Sequence, residues 1–69
     1  MMEIILEWYE RDGGFKKQTI GTTNPDSGLC VIPRKDEIIF CDRNTFTVTH
    51  VKYHVEKDCV ILVADKNNL

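Results

Sequence analysis

Sixty-nine residues, 42% of them hydrophobic and 29% charged, suit one small globular domain and exclude a disordered or fibrous chain. The formal net charge of −2, from 11 acidic and 9 basic residues, is spread over mixed clusters such as Glu10-Arg11-Asp12, Arg34-Lys35-Asp36-Glu37 and Glu56-Lys57-Asp58. The pairs Lys16-Lys17 and Arg34-Lys35 are too short to form the basic stripe that generic nucleic-acid backbone binding requires, so none is expected.

Met2 to Tyr9 alternates with period two, Met2, Ile4, Leu6 and Trp8 on one face and Glu3, Ile5, Glu7 and Tyr9 on the other, which predicts a strand. Asp12-Gly13-Gly14 then supplies the turn of a hairpin, because glycine tolerates positive φ, and Phe15 to Ile20 returns as its partner. Gly21 to Gly28 consists of turn formers and predicts a surface loop. Leu29 to Ile32 suits a short third strand, ended by Pro33, which removes a ladder donor.

The next strand runs from Glu37 to Cys41, turns at Asp42-Arg43-Asn44 and returns as Thr45 to Val55. Phe46 and Val48 share one parity, whereas Val51, Tyr53 and Val55 share the other. One extra residue near Thr49-His50, a β-bulge, restores all five to the inside and bends the strand. A turn at Lys57-Asp58 leads into the last strand, Cys59 to Ala64, before a polar tail at Asp65 to Asn68. Five or six short strands with one bend predict an all-β SH3-like barrel of a single domain, an OB-like barrel being the alternative.

No apolar run approaches the roughly 20 residues of a membrane helix, and Met1-Met2-Glu3 lacks the basic start of a secretory signal. Three cysteines without close pairs give no disulfide framework. A cytoplasmic protein with no membrane partner is expected.

From Pro33 to Val51 the chain resembles a loose group of short proteins of bacteriophages and other mobile elements, which read roughly Pro-Arg-x-Gly-Asp-x-Ile-x-Ile-Asp-Gly-x-x-Tyr-x-Val-x-x-Val. Here the run is Pro33-Arg34-Lys35-Asp36-Glu37-Ile38-Ile39-Phe40-Cys41-Asp42-Arg43-Asn44-Thr45-Phe46-Thr47-Val48-Thr49-His50-Val51. The spacing matches throughout, with Asp36 and Arg43 where the pattern has glycine. The resemblance implies a barrel and a mobile-element origin. By analogy it also implies a protein that binds a host molecule, either a protein or a nucleotide messenger of antiviral defence.

Two clusters could hold such a ligand. The loop supplies Thr22, Thr23, Asn24 and Ser27, with Arg34 and Lys35 soon after, a set of hydroxyls, an amide and cations suited to phosphate or a base edge. The bulge model sets His50, Lys52 and His54 outside along one strand, a strip that pairs with phosphate or carboxylate. Turn chemistry and an ordinary exposed strand face are the plainer explanations of the two.

If Ile39 and Cys41 point inward, Ile38 and Phe40 face outward, which suggests an edge buried by another subunit, or covered by the chain's own loop or by Met2. Cys41, Cys59, His50 and His54 are zinc-ligand types, but without Cys-x-x-Cys spacing the cysteines read as buried structural residues; no metal or cofactor is expected. Ser27, the one serine, has no base placed beside it, and no carboxylate sits in an apolar context, so an enzyme is not expected. The functional expectation is a homo-oligomeric binding protein that sequesters a host nucleotide or protein. The alternative is a structural or protein-interaction module without a small ligand.

Overall fold

The computed structural model describes residues 1–26 and 31–67. Five strands form one sheet: β1 (Glu3–Tyr9), β2 (Phe15–Thr22), β3 (Ile38–Cys41), β4 (Asn44–His54) and β5 (Cys59–Asn67). Their order is β2-β1-β5-β4-β3, and the sheet curls into a half-barrel. Among the described residues the one helical element is a 3-10 turn, Val55–Lys57. The all-β reading is therefore borne out.

Three local devices set the curl. The β1–β2 hairpin closes through a turn in which the Gly13 N–H donates to the Glu10 carbonyl at 2.9 Å and Gly13 takes φ 88°, the left-handed residue of a bulged three-residue loop. A register shift between Ile4 and Ile5 leaves Ile20 as an extra residue of β2, packed against the core. In β4 the pairing moves from Val48 opposite Ala64 to His50 opposite Val63, so Thr49 is the bulged residue. Its hydroxyl donates to the Val63 carbonyl at 3.0 Å, which satisfies an acceptor inside the disrupted ladder. The expected bulge at Thr49-His50 is present.

Beyond the β1–β2 hairpin, the chain crosses to the far edge. It first turns at Arg34 to Glu37, with the Glu37 N–H on the Arg34 carbonyl at 3.1 Å and Asp36 at φ 74°, the signature of a type II turn. The Glu37 carboxylate accepts a short hydrogen bond from the Arg34 N–H and clips this turn. β3 and β4 meet through Asp42 and Arg43, both at positive φ, as a two-residue hairpin loop demands. β5 then enters between β4 and β1, antiparallel to the first and parallel to the second.

The concave face holds the core: Ile4, Leu6, Phe46, Val60 and Leu62 are buried, with Val48 and Ala64 beside them. The Trp8 ring packs on Phe46 at 4.8 Å and 56°, as its place on the Met2-Ile4-Leu6 face predicts. Its indole N–H donates to Glu10 at 2.9 Å, and Glu10 in turn takes Lys66 Nζ at 3.1 Å, so one carboxylate ties β1 to β5. The indole hydrogen bond first, then Lys66, hold the Glu10 carboxyl below the usual glutamate range. A group with a lowered folded pKa stabilises the fold above its unfolded pKa, and that contribution is lost as pH falls through the folded value. Melting curves from pH 7 to about pH 3 are expected to show wild type more stable than Glu10→Gln at neutral pH, the difference vanishing at the acid end. A difference that persists in acid would contradict this.

Several expectations are corrected. Val51 packs against the core, but Tyr53 is 58% exposed and Val55 is 81% exposed. Tyr53 lies at the end of β4 where the half-barrel has no opposing wall, and Val55 has already left the strand for the 3-10 turn. Val31 and Ile32 lie outside any strand; Leu29 and Cys30, the rest of that expected strand, are outside the described residues. Gly21 and Thr22 belong to β2 rather than to the loop, and Asp65 to Asn67 continue β5 opposite Thr45 to Thr47 rather than forming a tail.

Candidate ligand-binding site

The expected loop cluster is partly assembled. Thr23 follows directly on β2 and pairs with the chain's start: its N–H donates to the Met2 carbonyl at 2.9 Å, and its hydroxyl accepts the Met2 N–H at 3.0 Å. The Thr22 hydroxyl accepts the Asn24 N–H at 3.1 Å, and the Asn24 side chain accepts the Asp26 N–H at 3.0 Å. These two side chains thus shape the turn, as their residue types favour. Ser27 lies outside the described residues.

Val31 to Lys35, with Thr23 and the inner side of β4, lines an open depression of about 690 Å³. Arg34 and Lys35 stand at its rim, Ile32, Pro33 and Val51 contribute apolar wall, and the exposed Tyr53 ring completes it. Two cations, a hydroxyl and an aromatic ring around an apolar floor can hold a planar ligand that carries phosphate. Tyr53 enters this site because it is not in the core. Its period-two position pointed inward, and the missing wall turned an inward position into a cavity lining.

The second expected cluster is separate. Val51 and Tyr53 face the concave side, so Lys52 and His54 project from the convex side of the same strand. There they join Lys17 and Lys57 around Ile5, Ile61 and Cys59 in a smaller depression of about 370 Å³, with Glu7 as its one anion. His50 is exposed further along, its Nδ1 3.1 Å from the Thr49 hydroxyl, and does not line either cavity. The loop residues and the histidine strip therefore do not form one site within a single chain. The hairpin register, Glu7 opposite Lys17, was the available signal that a third cation joins this face.

Other side chains limit the chemistry. Among the described residues no charged or polar side chain is buried, and no group of three or more metal-ligand types comes together. Cys59 is buried; Cys41 is half-buried, and desolvation first, then the Asp42 charge, push its thiol pKa up, which disfavours a nucleophilic thiolate. No helix among the described residues is long and apolar enough to cross a membrane. Ile38 and Phe40 are 68% and 73% exposed on the convex face, whereas Ile39 and Cys41 turn toward the core, as expected. No known protein family, curated protein or solved structure matches the chain.

Proposed function

We propose that the protein is a non-enzymatic binding module that captures a small phosphate-bearing ligand with a planar part, a nucleotide messenger of host defence being the fitting class. The observation that carries this reading is that Arg34, Lys35 and Thr23 line one cavity with Tyr53. Phosphate pairs with the guanidinium and ammonium, and the tyrosine ring offers a stacking surface for a base. The likeness of Pro33 to Val51 to small mobile-element proteins supports a role in sequestration rather than turnover. The SH3-like form of the barrel belongs to the same proposal.

Calorimetry against cyclic and linear nucleotides tests the site. Arg34→Ala is expected to weaken binding by roughly 10- to 100-fold, the loss of one charge-assisted hydrogen bond, and Tyr53→Ala by a similar factor through lost stacking. His54→Ala on the convex face is expected to leave affinity unchanged. Binding that fails for every nucleotide, or that depends on His54 and not on Arg34, overturns the assignment.

A further inference from the structure

The two outer strands of the sheet are guarded differently. β2 carries Lys16 and Lys17, charges that oppose pairing with another strand. β3 reads Ile38-Ile39-Phe40-Cys41 and has no charge at all.

The hydrogen-bond phase of β3 shows which of its backbone groups remain unpaired. A two-residue loop makes Cys41 and Asn44 the first bonded pair, and the Val48 N–H on the Glu37 carbonyl at 3.0 Å shows the same phase at the other end of the strand. Ile39 therefore bonds to Phe46, while the N–H and C=O groups of Ile38 and Phe40 point to the open edge. Ile38 and Phe40 are also the residues whose side chains stand exposed on the convex face. Free main-chain donors and acceptors and solvent-exposed apolar side chains thus coincide at the same two positions.

We propose that β3 pairs antiparallel with β3 of a second copy, about a twofold axis at Ile39, joining the two half-barrels through one continuous sheet. This register sets Ile38 opposite Phe40 of the second copy and the reverse, and each such pair exchanges two main-chain hydrogen bonds. The two isoleucines and two phenylalanines then meet on the convex face and cover one another. A second copy fits better than an unrelated strand for reasons visible in the chain. The positive φ of Asp36 and Asp42 limits the available edge to a few residues, and β3 itself has the matching length, alternation and outward bonding groups.

Light scattering tests the pairing, together with amide exchange followed residue by residue. The mass is expected to rise from 8.0 kDa toward twice that value as concentration increases to about 1 mM, with the Ile38 and Phe40 amides becoming protected in parallel. Phe40→Lys, and Ile38→Lys as an independent variant, are expected to hold the mass at that of one chain while circular dichroism keeps its strand signature. Tyr9→Lys, elsewhere on the convex face, is expected to leave dimerisation unchanged. A single-chain mass throughout the series overturns the proposal. So does a doubled mass with the Ile38 and Phe40 amides unprotected, or a dimer lost in Tyr9→Lys and kept in Phe40→Lys.

Discussion

Phe46→Ala is expected to lower the unfolding free energy by about 3–5 kcal/mol, the usual cost of truncating a buried aromatic ring. Phe46 is 2% exposed, on β4 between the β3 hairpin partner Ile39 and Lys66 of β5, and it carries the Trp8 ring. Its removal opens a void that Ile4, Leu6 and Leu62 cannot close without breaking the ladder on which they stand. A domain of this length has a total stability on the order of 3–10 kcal/mol, so the variant should lose a large fraction of it. Urea titration is the measurement, with Val55→Ala as the comparison: Val55 is 81% exposed and its truncation should stay within about 0.5 kcal/mol. A Phe46→Ala loss below about 1.5 kcal/mol would mean that the core does not centre on this ring.

The second large effect has the opposite sign. Asp36 at φ 74° and Arg43 at φ 66° hold a left-handed backbone without the residue that adopts it most readily. These are the two positions at which the mobile-element pattern has glycine, and the backbone geometry explains why a glycine suits each. Asp36 occupies the third residue of a type II turn, and Arg43 the second central residue of a two-residue hairpin loop, where Asp-Gly is the favoured pair. The double variant Asp36→Gly, Arg43→Gly is expected to gain about 1–2 kcal/mol, the relieved strain exceeding the added freedom of the unfolded chain. For a chain this short, that raises the melting temperature by roughly 5–15 °C. Most of the gain should come from Arg43, because aspartate tolerates the left-handed region better than arginine does. A melting temperature that stays level or falls would show that these turns are not strained.

Much of the fold is written in short-range patterns, and those are the parts that the sequence discloses. Alternation located β1 and β4, an apolar run after the Lys57-Asp58 turn located most of β5, Asp12-Gly13-Gly14 located the first turn, and the parity break after Val48 located the Thr49 bulge. Which strands become neighbours is a long-range matter: nothing local announces that β1 lies parallel to β5 with β2 on its far side. The same distinction governs the site. Arg34 and Lys35 were visible as exposed cations beside a polar loop, and Thr23 joins them because β2 ends where their segment crosses. Tyr53 was concealed, because alternation gives the face of a residue but not whether that face is covered. His50, Lys52 and His54 do not meet the loop residues within one chain for a related reason: Lys52 and His54 project from the opposite side of the sheet.

The position of β5 has a consequence for how this chain reaches its structure. β1–β2 and β3–β4 are hairpins with short loops, and each can close locally in microseconds. Neither touches the other in the sheet; both are joined only through β5, the last strand in the sequence. Its pairing with β1 closes a loop spanning nearly all of the described chain, so ordering that contact costs far more chain entropy than either hairpin. Folding should therefore be late and abrupt, with two nascent hairpins waiting for a single strand. On the ribosome, Ile4 and Leu6 stay uncovered until Val60 and Leu62 have emerged.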